Sequence, residues 1–361
     1  MDFYEDKTCF YKIRVKRNHS KDFVARGSGG NILAWGENDE DQQKWLIIPT
    51  SNDRCQLISK YNSDNMAVGS NGNILCWGHK DDSDQQFLFT QAPNQPDWFN
   101  IREFTKGERV AVGSNGNILR WGKKNNSSQI FKPEEIESVA KPTPPQITIT
   151  DLASIPNPPD PIERNFPPET SEKYTIGQVV MPSYAVNDPR YGNNGYGNGL
   201  IDQVLSTPYY LLKRDRYWTR TTKVGVCQVE DNSTSTDYKI KEEYSIAAST
   251  EKTTENTLSI TIGIDGNVSF GSNTGSIKTS ITNQLKLTQT DKIQTYENFT
   301  IDKIYTMPAG KILNVVWQLV DEYAVYRYNK DAQGTPVLEN DPFESIVVET
   351  NTTIESSYNW D

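Results

Sequence analysis

Histidine is nearly missing from this chain: among 361 residues only His19 and His79 occur. Both lie within the first 142 residues, so a Ser-His-Asp or Cys-His nucleophilic site built from the rest of the chain is excluded by inventory alone. Cysteine is scarce as well. Cys9, Cys55, Cys76 and Cys227 show neither CxxC spacing nor the density of a disulfide framework. Free, mostly buried thiols are expected, with one bridge inside the N-terminal half as the alternative. No phosphate-cradling loop, two-histidine metal motif or dinucleotide-binding glycine pattern occurs, so neither cofactor nor metal is expected. Two carboxylates could still form a glycosidase pair, but an enzyme is not the expectation. Basic residues number 37 against 47 acidic ones, a net charge of −10; nucleic-acid binders show the opposite balance. Long hydrophobic runs are absent too. The most apolar stretch, Ile312–Val320, falls far short of the about 20 residues of a membrane-spanning helix. The N-terminal MDFYEDKTCFYKIRVKRN is charged throughout and has no apolar core of the secretory kind.

What the chain does have is repetition. GSGGNILAWG, ending at Gly36, returns as GSNGNILCWG at Gly78 and GSNGNILRWG at Gly122. Trp35, Trp77 and Trp121 are thus spaced by 42 and 44 residues. A second signal follows each: Gln43-Lys44-Trp45, Gln85-Gln86-Phe87 and Gln129-Ile130-Phe131. Three strand-rich units punctuated by Gly and Asn turns suit a pseudo-threefold arrangement, since no single unit could bury its apolar face alone. A WD-type propeller has a similar period, but three blades are too few and its signature dipeptide is missing.

Nine of the 19 prolines lie between Pro142 and Pro168. That density forbids a regular helix and reads as an extended connector, with Gln146–Thr150 as a candidate edge strand. The expected division is 1–142, a connector 143–172, and a second all-β domain 173–361. Tyr209, Tyr210, Tyr217 and Trp218 form an aromatic cluster there, for which core packing outweighs an interfacial role.

One excursion of that domain stands out. In 257–288, Leu258, Ile260, Ile262 and Ile264 share one face with Val268, Phe270, Ile277, Ile281, Leu285 and Leu287. Ser259, Thr261, Asp265, Lys278, Ser280, Thr282, Gln284 and Lys286 take the other, because successive side chains of a strand alternate. Folding about Ser272-Asn273 pairs Ile260 with Leu285, a register in which partner numbers sum to 545, and a one-residue slip would mix the faces. Only Glu255, Asp265, Lys278 and Lys286 are charged between 253 and 289. A tilted strand needs about 9–11 residues to cross a bilayer, and an isolated hairpin cannot insert because its edges leave backbone groups unpaired. Insertion therefore requires an oligomeric ring. The bland alternative is a half-buried surface hairpin.

The three QxW/F motifs resemble the ricin-type β-trefoil, a fold of sugar-binding lectins. The resemblance implies a core built from Trp35, Trp45, Trp77, Phe87, Trp121 and Phe131. In such lectins an Asp near the start of each repeat grips sugar; the matching residues here are Ala25, Ala67 and Ala111, so the usual pocket is lost or relocated. Asn38, Asp39, Asp82 and Asn126 are the remaining candidates for carbohydrate or receptor contact. A trefoil followed by Val186-Asn187-Asp188-Pro189, then Thr207-Pro208-Tyr209-Tyr210-Leu211-Leu212-Lys213, then a Ser/Thr-rich amphipathic hairpin resembles the Bin-like insecticidal pore-forming toxins of Bacillus-type bacteria, within the aerolysin-like superfamily. The resemblance implies an all-β chain, made without a signal peptide and deposited in a spore-associated crystal. It implies an insect gut receptor or glycan, a lipid bilayer and a homo-oligomeric pore as partners. Members act alone or with a second toxin component. A lectin-like binding protein without pore formation is the alternative.

Overall fold

The computed structural model describes residues 8–16, 22–50, 54–78, 82–122, 126–148, 155–158, 167–186, 188–191, 198–220, 228–232, 236–244, 252–253, 260–262, 268–270, 299–307 and 310–359. Twelve strands come first, in three sets of four. The first set is β1 (Thr8–Val15), β2 (Asp22–Arg26), β3 (Ile32–Gly36) and β4 (Lys44–Pro49). The second is β5 (Cys55–Ser59), β6 (Asn65–Val68), β7 (Ile74–Trp77) and β8 (Phe87–Gln91). The third is β9 (Phe99–Glu103), β10 (Arg109–Val112), β11 (Ile118–Trp121) and β12 (Phe131–Val139). The outer strands of each set close a ring: β1 pairs β4, β4 pairs β5, β5 pairs β8, β8 pairs β9, β9 pairs β12, and β12 returns to β1. Closure leaves no free edge. The inner hairpins, β2–β3, β6–β7 and β10–β11, meet at one end through the bridges Asn31–Leu75, Leu33–Asn117 and Asn73–Leu119. A six-stranded barrel capped by three hairpins is a β-trefoil.

Local chemistry explains the hairpins. Each repeated GSxG segment ends on a glycine with positive φ: Gly30 at 82°, Gly72 at 84° and Gly116 at 85°. A side chain there would be strained in the left-handed region. Period-two alternation then fills the barrel: Cys9, Tyr11, Ile13 and Val15 of β1 point inward to meet Trp45, Phe87 and Phe131, all fully buried. Cys9, Cys55 and Cys76 are free thiols in this part of the chain. Burial pushes the Cys76 thiol up to about 12.

The glutamines of the repeated motif act as struts. Gln43 Nε2 donates to the Gly36 carbonyl (2.7 Å), Gln85 to Gly78 (2.9 Å) and Gln129 to Gly122 (2.7 Å). All three are buried. Replacing one with alanine orphans a carbonyl and is expected to cost about 1–3 kcal/mol, read as a lowered denaturation midpoint with unchanged slope.

The first tryptophan of each repeat departs from expectation. Trp35, Trp77 and Trp121 are not in the core but 55%, 46% and 47% exposed. They sit at the ends of β3, β7 and β11, where the hairpin has left the barrel wall. A residue twelve positions earlier faces each across the hairpin, in place of the barrel interior.

After the connector, β13 (Tyr174–Pro182) precedes the helix α1 (Asn198–Ser206) and β14 (Tyr209–Arg220). Then come β15 (Gln228–Asn232), β16 (Thr236–Tyr244), β17 (Lys252–Thr253), β18 (Ile260–Ile262), β19 (Val268–Phe270) and β20 (Phe299–Met307). The last are β21 (Gly310–Lys330), β22 (Pro336–Leu338) and β23 (Glu344–Asn359). β21, 21 residues long, is the spine: β14 and β15 flank it on one side, β22 and β23 on the other, and β13 lies outside β14. At about 3.4 Å per residue such a strand makes the sheet elongated. Tyr209, Tyr210, Tyr217 and Trp218 are all buried in it. Gln146–Thr148, by contrast, forms no strand. The connector instead leans on the sheet through side chains: Gln178 Nε2 donates to the Pro145 carbonyl (2.8 Å) and Trp218 Nε1 to that of Pro156 (2.8 Å).

Barrel and sheet share one apolar junction. Phe10, Leu46, Ile48 and Ile58 on the barrel exterior join Val179, Met181, Tyr210, Leu212, Tyr323 and Val325 of the sheet and Leu200, Ile201 and Val204 of α1. Thr8 Oγ1 donates to the Pro208 carbonyl (2.6 Å), and Tyr209 Oη to that of Val139 (2.6 Å).

Buried ions lie within the sheet. Asp321 accepts from Arg214 (2.6 Å) and Arg216 (2.5 Å). Asp188 accepts from Arg327 Nε (2.6 Å), Arg327 Nη2 (2.8 Å), Tyr210 Oη (2.8 Å) and the Arg190 amide (2.9 Å). Burial alone would raise Asp188, yet the Arg327 bonds and the other donors hold it below the usual carboxylate range.

Candidate functional site

Two regions carry the sequence-derived candidates, one on the barrel and one in the excursion after β16. On the barrel, each repeat presents a row of four side chains across neighbouring strands, ending on its exposed tryptophan. In the first repeat the row is Lys132, Arg14, Phe23, Trp35. In the second it is Leu46, Ile58, Asn65, Trp77. In the third it is Leu88, Arg102, Arg109, Trp121. Directly opposed residues point to one face, so these are three chemically different versions of one slot.

Each version has its own surroundings. Arg14 lies over the Phe23 ring (6.0 Å) and within 3.4 Å of Glu134. Leu46 and Ile58 are covered by the second domain. Arg102 and Arg109 stand side by side, half-buried. Burial and the Arg102 charge together lower Arg109 from the ordinary guanidinium value.

The residues expected to touch sugar have the following partners within the barrel domain. Asn38 Oδ1 accepts from the Glu40 amide (3.2 Å), and its own amide donates to Gln43 Oε1 (2.9 Å). Exposed Asp39 lies near Lys12 (3.5 Å) and Lys44 (3.6 Å). Asp82 is exposed, and its carbonyl accepts from the Gln85 amide (3.1 Å). Asn126 Oδ1 accepts from Ser128 Oγ (2.6 Å). They fall on three different repeats and do not converge on one pocket. Ala25, Ala67 and Ala111 are fully buried, opposite Leu33, Leu75 and Leu119. The arginine pair was missed by motif reading. Aligning the repeats on their tryptophans would have found part of it, because the residue twelve before each is Phe23, Asn65 and Arg109.

The excursion leaves the body through β16 and β20, which pair over their full nine residues as a separate two-stranded sheet. Beyond it, β17, β18 and β19 form a small sheet of their own that shares no ladder with the six-stranded one. Ile260 pairs with Phe270, Thr261 with Ser269 and Ile262 with Val268. Partner numbers thus sum to 530, and the expected pairing of Ile260 with Leu285 does not hold in this form. Both edges of β18 are taken, by β17 and β19. The physical reason is chain separation: five residues join β18 to β19, and a short loop closes at less entropic cost than one of twice its length. Leu258, Ile264, Ile277, Ile281, Leu285 and Leu287, with Ser259, Asp265, Lys278, Ser280, Thr282, Gln284 and Lys286, lie outside the described residues.

Residues 174–354 match the family model described as Insecticidal Crystal Toxin, P42. The insecticidal crystal protein Cry35Ab1 of Bacillus thuringiensis is 28% identical over 160 residues, 43% of this chain and 39% of that protein. The aligned stretch therefore spans well under half of the relative's length. The crystal structure of Cry35Ab1 superposes on 97% of this chain and 90% of its own, with a TM-score of 0.64 at 19% identity, a likeness of fold. The designed threefold-symmetric protein ThreeFoil covers 35% of this chain and 99% of its own, with a TM-score of 0.33 at 14% identity.

Proposed function

The chain belongs to the insecticidal crystal toxin family, and from that premise we propose that it kills insect gut cells by forming a β-barrel pore. The trefoil recognises a receptor or glycan on the epithelium through the face that carries its exposed tryptophans, Trp35, Trp77 and Trp121. The second domain oligomerises, and 257–288 leaves the small β17–β18–β19 sheet to insert as a hairpin. The observation that carries the reading is the amphipathic excursion itself: ten apolar residues on one face, Ser, Thr and Lys on the other, and four charges across 253–289. Its attachment supports the same reading, since a segment outside the main sheet can be withdrawn without breaking that sheet's ladders. Closing a ring of such hairpins satisfies their edges, and the Ser/Thr/Lys face would line water. Storage in a crystal inclusion and release in the gut agree with the family; action alone or with a second toxin component is compatible with this architecture.

Purified protein, with and without protease trimming, is expected to release dye from gut membrane vesicles and to yield a detergent-resistant oligomer. Binding to the vesicles without leakage or oligomer under any activation would overturn the pore in favour of a lectin-like binding protein.

A further inference from the structure

The spine of the second domain narrows before it reaches the excursion. β23 ends with Asn359 opposite Ile312, and the β15–β21 ladder ends two residues on, with Asn232 opposite Gly310. Beyond that point β16 and β20 run on as a ribbon. They pair from Thr236 and Met307 to Tyr244 and Phe299 in one unbroken register, whose partner numbers sum to 543. Among the described residues no third strand joins this ladder. Two strands alone are marginal in water, and an unpaired edge is a template for another chain.

The ribbon is two-faced, and its faces run in phase with those of the excursion. Directly opposed residues share a face. Tyr238 is opposite Tyr305 and Tyr244 opposite Phe299 on one face; Lys239 is opposite Ile304 and Lys241 opposite Asp302 on the other. That charged face is odd-numbered in β16 and even-numbered in β20. In 257–288 the Ser/Thr/Lys face is likewise odd in the first arm, as at Ser259 and Thr261, and even in the second, as at Gln284 and Lys286. A strand extended without a break from β16 into the first arm therefore keeps its polar side polar throughout. Registers of 543 and 545 are both odd, so they preserve the same faces.

We propose, resting on the pore reading above, that copies of this chain join through the β16–β20 ribbon. The outer edge of β20 in one copy pairs with the outer edge of β16 in the next, closing a ring from which the excursions extend. A second copy is the partner that the pattern fits. Pairing of two unlike edges is head-to-tail, the kind of contact that closes into rings. Because β16 and β20 are antiparallel, their alternation around the ring keeps every ladder antiparallel. The charges match as well. On the polar face of β16 Lys239 and Lys241 are neighbours, and on that of β20 Asp302 is the charged residue among Thr300, Ile304 and Thr306. Within one chain Asp302 is opposite Lys241. Pairing across copies at 543, or at 541, sets Asp302 opposite the neighbour's Lys241 or Lys239 as well, and opposite charges across strands favour the pairing.

The test is disulfide trapping between copies on gut membrane vesicles, with Cys227→Ser in every protein. A Lys239→Cys protein mixed with an Ile304→Cys protein is expected to give a covalent dimer on mild oxidation, since directly opposed Cβ atoms lie within bridging range. Each protein alone should give none, because its own chain lacks the second thiol at that position. Asp237→Cys mixed with Ile304→Cys reads the 541 register in the same way. Asp302→Lys should lower the yield of detergent-resistant oligomer at limiting protein by about fivefold, the worth of one cross-strand charge pair. Adding Lys239→Asp and Lys241→Asp to that variant should restore the yield, and urea midpoints of the monomers confirm that each variant folds. Oligomer and dye release without a covalent dimer in either register overturn the proposal and leave the pore standing. A covalent dimer without dye release supports the joining surface and removes the pore. No oligomer under any activation removes both.

Discussion

Asp188→Asn is expected to cost about 3–5 kcal/mol of stability at neutral pH, the penalty for breaking a buried pair by removing one partner. Asp188 is fully buried, and Arg327 behind it is nearly so. The variant leaves that guanidinium under the sheet with a neutral amide in place of a carboxylate. The sign with pH follows from the lowered value of Asp188. A carboxylate whose folded-state value is depressed contributes its stability above its unfolded value, about 3.9, and loses it as pH falls through the folded one. The gap between wild type and variant, measured as a shift in urea midpoint, should therefore be full at pH 7 and shrink below about pH 4. The single variant leaves Arg327 only its longer contact with Glu339 (3.4 Å); the double variant Asp188→Asn with Arg327→Met removes the poorly compensated charge and should recover part of the loss. Equal midpoints of wild type and single variant at pH 7 would show that the pair is idle.

A disulfide across β17 and β18 should silence the protein on membranes. Thr253 and Thr261 are direct partners, at a separation where cross-strand Cβ atoms approach within bridging range. An inserted hairpin of 257–288 in the 545 register would put Ile260 against Leu285, so the β17–β18 ladder must first come apart. The variant Thr253→Cys with Thr261→Cys, oxidised, is expected to bind vesicles as the wild type does and to release no dye above the protein-free level. Reduction should restore release. Cys9, Cys55 and Cys76 are buried and are poor competitors in the exchange, because burial raises each of Cys55 and Cys76 and so suppresses the thiolate. Undiminished leakage by the oxidised protein would mean that the inserting element lies elsewhere.

Much of the barrel could be read without coordinates. The glutamine-aromatic motifs announced three units, and the strut role of Gln43, Gln85 and Gln129 depends only on a contact seven residues back along the chain. Such short-range signals survive in a linear string. The tryptophans before them misled, because repetition marks a conserved position in the unit without saying which side of the hairpin wall it takes. Val186-Asn187-Asp188-Pro189 stands out in the sequence only through the family resemblance; that its aspartate anchors an ion pair is hidden there, since Arg327 is 139 residues away. The excursion failed in a third manner. Alternation showed which residues share a face, but several partners satisfy the same alternation, and β19, the strand nearer along the chain, is the one that β18 pairs with.

The strand character, the threefold repetition and the two-faced excursion were thus determined by the sequence itself, because each is a property of residues one to seven positions apart. Only the tertiary structure decided what each outward face meets. Phe10, Lys12 and Arg14 share one phase of β1, yet Phe10 lies under the second domain, Lys12 near Asp39, and Arg14 over Phe23. The same alternation places Arg102 and Ile58 at equivalent positions, one in a charged row and the other beneath a sheet. Which it becomes depends on chain that arrives more than a hundred residues later, and burial is a relation between surfaces that no local pattern contains.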